Sequence, residues 1–442
     1  MSQQPTPPQR GPRSGAALRR VGQRARARWP LGAGAASSAA SLALGAVLLF
    51  TASAAAQATD LTLRTTVFIE PSPTSEMLVL NPALRLSVTP AEVISVHAGY
   101  EADIVSGASE PTKSGRISPD IVSHASVTDV RHIATGGVTL RRKETTLSAT
   151  YAYGTEHDYR SQSISVTGAT EFLKRNTRLE LSYAHGFDEV CNVRYAASLS
   201  PTLRPRLDSS DGCFTQAEDR QADDVALDSF QAAWTQTWTP VLATQLVLTG
   251  GLQHGFLGSP YRAVVIGANG QLAQEHHPEN RARGAAALRV RYFIKGLETA
   301  VGLGARGYRD SWDLLSQTYE VDAERYLLPW LRLLVRARYY AQTGAQFWSD
   351  DYTGGEPKFG PRGQYWSGDR ELSPLSSYLL GGRVLMGWNG RSGDRVLSMF
   401  LKLDVSVGFD VIKTQLDDFT WAGNPVDDSY ASIMSVGLTS TF

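Results

Sequence analysis

The last thirteen residues of the chain, Tyr430 to Phe442, alternate in character with a period of two. Their apolar face carries Tyr430, Ser432, Met434, Val436, Leu438, Ser440 and Phe442, and the other face carries small or hydroxylated residues. Successive side chains of a β-strand point to opposite faces, whereas an α-helix would spread them around its circumference. The run is also longer than an ordinary globular strand. It therefore predicts a long strand with one apolar face.

The same alternation occurs upstream, with charges on one face. Between Leu397 and Phe409 the odd-numbered positions carry the apolar side chains, and charged residues such as Lys402 and Asp404 alternate with them. Between Leu331 and Gln342 arginines alternate with apolar residues in the same way. A row of charges facing lipid is prohibitive, so the charged face must line a wet interior. The pattern predicts strands of a closed barrel that is apolar outside and polar inside.

Two kinds of connection separate these segments. Long polar connections occur at 106–127, 189–224, 258–279, 347–374 and 413–428, and two very short ones occur near His157 and Ser311. Short turns at one end and long loops at the other are typical of outer-membrane barrels. We predict an all-β, transmembrane, antiparallel up-and-down barrel of about sixteen strands, within roughly 14–18, with both termini on the turn side. The turns contain Thr89-Pro90-Ala91-Glu92, Arg142-Lys143-Glu144, Leu173-Lys174-Arg175-Asn176, Thr239-Pro240-Val241, Lys295-Gly296, Leu328-Pro329 and Asn389-Gly390-Arg391-Ser392-Gly393.

Composition excludes a bundle of apolar membrane helices. Hydrophobic residues make up 42% of the 442 residues, and the mean hydropathy is −0.21. A barrel remains compatible with these values, because only alternate residues need to face lipid. We expect a single barrel domain over residues 57–442.

The first 56 residues have the order of a secretory signal peptide. They contain seven arginines and no Lys, Asp or Glu, then an apolar run from Leu42 to Phe50, then Ala54-Ala55-Ala56. The alternative is a membrane-anchoring helix, which needs about 20 apolar residues, more than this run provides. We predict cleavage near Ala56 and localisation in the outer membrane of a Gram-negative bacterium.

Charge and cysteine content narrow the function further. Without the leader, 36 basic residues stand against 43 acidic ones, so nucleic-acid binding has no support. Cys191 and Cys213 lie in one polar stretch, and an oxidising compartment favours a disulfide between them. No further Cys or His lies nearby to complete a metal site, and we expect no metal and no cofactor.

Charged residues of opposite sign fall on the inner face of successive predicted strands, where neighbouring rows should form ion pairs. Across a water-filled channel such rows would select small polar or ionic solutes, and sixteen strands leave room for water. Alternatively, the same side chains pack into a plug. The rows are Arg281, Arg283, Arg289 and Arg291; Glu298, Arg306 and Asp310; Glu320, Asp322 and Glu324; and Arg332, Arg336 and Arg338.

The connection at 347–374 is a candidate constriction loop. It contains Trp348, Tyr352, Tyr365 and Trp366 among glycines, prolines and charges. Such a loop would fold into the mouth of the barrel or bind a ligand by stacking. Alternatively, its aromatic residues belong to the girdle at the membrane interface.

Known catalytic signatures are missing from the chain. G-x-S-x-G, H-E-x-x-H, G-x-x-x-x-G-K-[ST] and C-x-x-C do not occur. The best local candidate for a barrel hydrolase is the segment Glu156-His157-Asp158-Tyr159, but its spacing shows no nucleophile. The neighbours His276 and His277 lie in a loop with Glu275 and Glu279, which is interpreted as solvated, with an adventitious metal site as the alternative. We therefore expect a protein without enzymatic activity.

Five short strings near predicted strand ends are recognisable together. They are Ala102-Asp103-Ile104-Val105-Ser106-Gly107-Ala108-Ser109, Asp129-Val130-Arg131-His132, Glu156-His157-Asp158-Tyr159-Arg160-Ser161, Arg175-Asn176-Thr177 and Asp369-Arg370-Glu371-Leu372-Ser373. In this order they resemble the domain-of-unknown-function 3570 family of predicted bacterial outer-membrane barrels. The resemblance implies location and architecture but no established activity, so no catalytic residue is carried over. The long basic leader and the Cys191/Cys213 loop depart from the family pattern.

These features together predict a passive pore for small polar solutes. A closed barrel acting as a surface interaction or assembly protein is the alternative, and a barrel hydrolase is a third hypothesis. The expected partners are outer-membrane lipid, lipopolysaccharide and the barrel-assembly machinery. That machinery would read Val436, Leu438 and Phe442 in the last strand.

Overall fold

The computed structural model describes residues 58–71, 76–106, 121–122, 128–207, 219–267, 269–352, 364–390, 396–397, 399–421 and 424–442. The expected leader, the cleavage position near Ala56 and Cys213 lie outside these ranges. The described residues form a closed barrel with additional short strands in its loops.

Sixteen antiparallel strands close into a cylinder, because the first strand pairs with both the second and the last. The predicted fold class and strand count are thereby confirmed. Strands β4, β11, β12, β19 and β20 lie in loops and the other sixteen form the barrel. In chain order the strands are β1 (Ala58–Pro71), β2 (Glu76–Ala91), β3 (Ile94–Ser106), β4 (Ile121–Val122), β5 (Thr128–Arg142), β6 (Thr145–Thr155), β7 (Tyr159–Phe172), β8 (Thr177–Val193), β9 (Arg220–Thr239), β10 (Leu242–Gly255), β11 (Arg262–Ile266), β12 (Gln271–Gln274), β13 (Asn280–Ile294), β14 (Thr299–Asp310), β15 (Leu315–Leu328), β16 (Leu331–Gln342), β17 (Leu375–Asn389), β18 (Lys402–Leu416), β19 (Thr420–Trp421), β20 (Asn424–Pro425) and β21 (Ser429–Thr441).

The alternation of the sequence decides which way each side chain faces. On β6, exposed Leu147 and Tyr151 alternate with more buried Ser148 and Thr150. Directly opposed residues on neighbouring strands share a face, so the register carries this assignment around the cylinder. Outward apolar side chains are left bare, as Leu380 at 65% exposure shows. An apolar belt of this kind is stable against lipid and unfavourable against water.

The seven predicted turns lie at one end of the barrel, which we call the turn end. The other end, which we call the loop end, carries the long connections together with short ones at 72–75, 156–158 and 311–314. Six of the seven predicted turns join neighbouring strands where expected. One predicted lumen residue, Glu298, lies in the turn between β13 and β14, with a left-handed φ of 50°. Its assignment to the inner row is therefore wrong, because the strand begins only at Thr299.

The seventh turn is longer than the sequence predicts. The chain leaves β17 at Asn389 and enters β18 only at Lys402. The interpretation of Leu397 and Met399 as the beginning of an apolar strand face is therefore wrong. A bridge between Val396 and Phe400 folds the chain back on itself there. Leu401, by contrast, already continues the ladder, because its N–H donates to the carbonyl of Thr441 at 2.8 Å.

Loops from distant parts of the cylinder meet at the loop end. Strand β4, between β3 and β5, pairs with β11, between β10 and β13, and β12 completes a three-stranded sheet. These two loops emerge six barrel strands apart, so the sheet spans part of the mouth. A two-stranded sheet of β19 and β20 lies between β18 and β21. The helices in the described part of the chain are too short to cross a membrane.

Candidate functional site in the lumen and the loop layer

Rows of arginine and carboxylate line the inner wall and pair across strands. Arg291 on β13 donates from Nη2 to Asp322 at 2.8 Å and to Glu324 at 3.1 Å, both on β15. One step further toward the loop end, Arg289 lies 3.5 Å from Glu320. Each ion pair crosses the intervening strand β14, so it connects β13 to β15, which share no backbone hydrogen bonds.

Glycines on the intervening strands make these long-range pairs possible. Gly302 of β14 stands directly opposite both Arg291 and its partner, and a Cβ there would lie 2.2 Å from a carboxylate oxygen of that partner. Gly381 of β17 has the same position between Arg336 and Asp410. That pair is joined by two hydrogen bonds of 2.9 and 2.7 Å. The missing side chains leave the space that each guanidinium crosses.

The other predicted lumen residues divide into paired and unpaired ones. Arg332 lies 2.7 Å from Glu324. Arg306 and Arg338 face the lumen without a carboxylate partner among the described residues. Sequence reasoning missed the role of Asp410 as the partner of Arg336, although its phase on β18 placed it on the polar face. It also missed Arg383, which lies among glycine and leucine positions on β17.

An apolar cluster holds together a loop layer at the loop end, comprising the described residues of the connections at 256–279, 311–314, 343–374 and 417–428. The cluster consists of Trp312, Leu314, Ala345, Phe347, Trp348, Leu372 and Phe419. Arg370 anchors the layer to β1 through Glu70, with 3.1 Å between Nη1 and Oε1. Their side chains are 17% and 5% exposed, so this pair is largely shielded from water. A second ion pair joins Arg262 to Asp369 within the layer.

The aromatic residues of the candidate constriction loop lie inside this layer. Trp348, Tyr352 and Trp366 are 7%, 2% and 2% exposed, and Tyr365 packs against the apolar cluster. Trp366 donates from Nε1 to the carbonyl of Gln274 at 2.8 Å, which joins the loop to β12. The side chains therefore contact other loops rather than the outer wall of the barrel.

His277 and Glu275 form a buried polar pair in the same layer. Their side chains are 5% and 1% exposed, so the interpretation of this segment as solvated is wrong. Nε2 of His277 lies 3.5 Å from Oε2 of Glu275, and neither atom has a hydrogen-bond partner in the described part of the chain. Nδ1 of His277 lies 2.9 Å from the carbonyl oxygen of Leu257, which fixes the ring.

A second polar cluster surrounds His157 between β6 and β7. Its Nδ1 lies 2.9 Å from Asp129 and its Nε2 lies 3.8 Å from Asp158, whose carboxylate accepts a hydrogen bond from Tyr261. Asp129, His157 and Asp158 each offer one atom that could ligate a metal. These three atoms lie within 4.8 Å of one another, close enough to bind one cation. Burial, followed by the charges of Asp129 and Asp158, raises the pKa of Glu156 to about 7.

Two further predicted sites are only partly described. Cys191 is fully buried at the end of β8, in a cluster with Leu207 and Tyr261. Its predicted partner lies outside the described residues, so the disulfide stays a prediction. Val436, one residue of the expected assembly signal, lies on the outer face and is 54% exposed. Phe442 packs on Phe400 with ring centroids 5.1 Å apart.

Comparison with known proteins identifies the family of this chain. The family model described as "Protein of unknown function (DUF3570)" matches residues 118–389, more than half of the chain. The curated proteins contain no match to the sequence.

Solved structures similar to this chain include two outer-membrane proteins and a siderophore receptor. A bacterial polysaccharide outer membrane secretin is 10% identical, with a TM-score of 0.46 over 87% of this chain and 98% of that one. The outer membrane protein OpdK from Pseudomonas aeruginosa is 10% identical, with a TM-score of 0.38 over 87% and 99%. The siderophore receptor PirA from Acinetobacter baumannii is 8% identical, with a TM-score of 0.40 over 81% and 53%.

Proposed function

The chain belongs to the DUF3570 family of proteins of unknown function, and from that premise we propose that it is an outer-membrane β-barrel acting as a passive pore for small polar solutes. The observation that carries the proposal is the charged inner wall of a closed sixteen-stranded cylinder. A barrel of this size has a lumen wide enough for water. Ionised rows facing such a lumen hydrate it and act on passing solutes.

The outer surface supports placement in a membrane. Side chains such as Leu303 and Leu380 leave large apolar areas uncovered on the outside of the barrel, and lipid is the environment that stabilises them. A cleaved leader ending near Ala56 would deliver the chain to the periplasm, and the last strand would present Val436, Leu438 and Phe442 to the assembly machinery. Lipid and lipopolysaccharide would then surround the belt.

The loop layer favours a second candidate function. Its apolar cluster and the shielded Arg370–Glu70 pair form a folded cover at the loop end. A cover held this firmly supports a closed barrel whose loops bind a surface partner. It equally supports a pore that opens when the cover moves.

Conductance of the purified full-length barrel in planar bilayers tests the pore, together with solute flux in proteoliposomes. We expect ion conduction, and a changed ion selectivity in Arg336→Glu, because the exchange reverses a charge on the inner wall. Arg309→Glu is the matched control, since Arg309 lies on the outward face of β14. Absence of conductance and flux both from the wild type and from the cover variant Arg370→Ala contradicts the pore.

A variant of the cover separates the two candidates. Arg370→Ala removes one partner of a shielded ion pair, a change that typically costs about 3–5 kcal/mol. If the wild type does not conduct ions and Arg370→Ala does, the loop layer is a closed gate. If neither protein conducts, the closed barrel with a surface function is favoured.

A further inference from the structure

Ionised side chains divide the inner wall into a positive half and a negative half. Each half has an excess of four charges among the described residues. On β13–β18 the basic side chains facing the lumen are Arg281, Arg283, Arg289, Arg291, Arg306, Arg332, Arg336, Arg338, Arg383 and Lys402, and the acidic ones are Asp310, Glu320, Asp322, Glu324, Asp404 and Asp410. On the barrel strands from β1 to β10 the basic ones are Arg64, Arg85, Arg131, Arg141 and Arg178, and the acidic ones are Asp60, Glu70, Glu101, Asp103, Asp129, Glu171, Glu180, Asp188 and Asp223.

Every acidic side chain of the negative half has a donor. Many of these donors are neutral: Asn81 donates to both Glu101 and Asp103, at 2.8 and 2.6 Å. Asn192 donates to Asp223 at 2.8 Å. The remaining acceptors are satisfied by the donors of Arg178, Arg370, His157, Tyr159 and Thr441. Carboxylates saturated in this way attract a passing cation less than free ones.

The acidic side chains of the positive half are also occupied. Beyond the pairs described above, Arg281 binds Asp310 at 2.5 Å and Lys402 binds Asp404 at 2.7 Å. Arginine is in excess there, and some guanidiniums have no carboxylate partner in the described part of the chain. These are Arg283, Arg306, Arg338 and Arg383. The unsatisfied charges of this half-wall are therefore cationic.

The four unpaired guanidiniums follow one another from the loop end toward the turn end. Arg283 lies opposite Asp310 at the top of β14, and Arg306 lies two residues below Tyr308 on the same strand. Arg338 then lies opposite Glu320, and Arg383 shares a row with Glu324 through Leu334. From the row of Arg306 to that of Arg338 is a step of two residues, or about 7 Å along a strand. From Arg338 to Arg383 is four residues, or about 13 Å.

A recess in the wall lies beside the lower members of this series. It has a volume of about 500 Å³, and its lining includes Arg338 and Arg383 together with the polar side chains Thr235 and Gln245. Three carboxylates also line it, and each is held in an ion pair: Glu320 with Arg289, Asp322 with Arg291 and Asp410 with Arg336. Nε of Arg338 is buried there without a hydrogen-bond partner in the described residues. A buried donor without a partner is costly. The guanidinium that carries it is half-buried and has no carboxylate partner among the described residues, so its terminal N–H groups are the donors that an oxyanion in the lumen would meet.

Resting on the proposed pore function, we propose that this series binds small oxyanions, either carboxylates or phosphates, and makes the pore selective for them. The guanidinium presents a planar fork of donors that matches the two oxygens of such a group. Successive sites at these spacings let an anion leave one guanidinium for the next, which permits passage as well as binding. The recess near Arg338 is the principal site.

Reversal potentials in a potassium chloride gradient test the selectivity of the full-length barrel, with acetate, benzoate and inorganic phosphate as probes. We expect the wild type to prefer chloride over potassium and to show conductance block by the oxyanions. Arg338→Gln with Arg383→Gln should weaken the block about tenfold or more, as the loss of about 1.4 kcal/mol or more of binding energy implies. Arg338→Lys with Arg383→Lys should keep the preference for chloride but weaken the block by carboxylates, because lysine lacks the fork.

The matched control is Arg309→Gln with Arg325→Gln, which removes the same charge from outward-facing positions of β14 and β15. The oxyanions should block the conductance of this control as strongly as that of the wild type. The relative strength of benzoate and phosphate tells which oxyanion class the site prefers. Cation preference in the wild type, or equal block in wild type and the glutamine variant, overturns the proposal.

Equilibrium binding separates this inference from the pore itself. If neither the barrel nor its cover variant Arg370→Ala conducts, the proposed function has failed. Calorimetric titration of the purified barrel with benzoate and with phosphate still shows whether the site binds oxyanions. Binding that is lost in Arg338→Gln with Arg383→Gln supports it. Absence of binding to the wild type, or unchanged binding in that variant, refutes it.

Discussion

At the scale of single residues, glycine decides how the inner wall is tied together. The guanidinium of Arg291 reaches the second strand along only because Gly302 leaves the surface of β14 bare between them. Gly137 plays the same part between His97 and Thr150, whose side chains meet at 3.1 Å. Side-chain pairing in this barrel therefore extends over three strands where glycine occupies the middle one.

Gly302→Ala should destabilise the barrel, because its Cβ would displace the carboxylate of Asp322 from Arg291. Overpacking of this kind costs about 1–3 kcal/mol of unfolding free energy. Alanine restricts the unfolded chain more than glycine does, which offsets roughly 0.4–1 kcal/mol of that cost. Urea unfolding in lipid vesicles measures the change. Gly307→Ala on the same strand is the control, since a Cβ there meets nothing within 4 Å. Equal stability of the two variants would contradict the role of Gly302.

The raised pKa of Glu156 predicts a pH dependence of stability. Burial, reinforced by Asp129 and Asp158, keeps the folded carboxyl protonated up to about pH 7, against an ordinary value of 4.5. Its contribution is therefore complete below pH 4.5 and is lost as the pH rises toward 7. Thermal unfolding in detergent between these values should show the decline, and Glu156→Gln should flatten it. Parallel curves for the two proteins would count against this assignment.

At the scale of elements, the loops are organised more than a barrel requires. A three-stranded sheet, an apolar cluster and the Arg370–Glu70 pair connect loops that emerge from distant strands. Trp348 and Trp366 stabilise this layer from within, so the aromatic loop is a structural core at the loop end.

The loop between β8 and β9 is expected to be closed by a disulfide between Cys191 and Cys213. Alkylation of the denatured, unreduced protein should leave both cysteines unlabelled, and alkylation after reduction should label both. Mass spectrometry measures the labelling. The double variant Cys191→Ser with Cys213→Ser should lose roughly 3 kcal/mol of unfolding free energy, because its unfolded loop is unconstrained. Labelling without reductant would rule the bond out.

At the scale of the whole molecule, one cylinder separates two environments. Neighbouring residues of one strand experience them in turn: Leu248 is 47% exposed on the outside, whereas Thr249 faces the lumen. The outer belt demands lipid, while the inner wall demands water and ions. Neither face would be stable in the surroundings of the other.

Leu248→Arg and Thr249→Arg test this division with the same added charge. The outward arginine should cost about 2–4 kcal/mol of stability near the membrane midplane. The inward one should cost much less, because water reaches it. Unfolding free energies in lipid vesicles compare the two variants directly. A larger loss for Thr249→Arg would reverse the assignment of faces.

The sequence by itself determined the barrel, because alternation along each strand is a local property. Leu331 to Gln342 shows its inner and outer faces without any knowledge of its neighbours, and the turn residues mark where most strands end. Strand alternation misled where the backbone leaves the ladder, at Leu397 and at Glu298, and composition misled at His277, which the packing of the loops buries.

The tertiary structure decided which charges meet. Arg336 finds Asp410 on a strand 74 residues away, and Arg370 finds Glu70 across 300 residues of chain. No spacing in the sequence reports the register that brings them together. Closure of the cylinder fixes that register, and with it which guanidiniums remain without a partner.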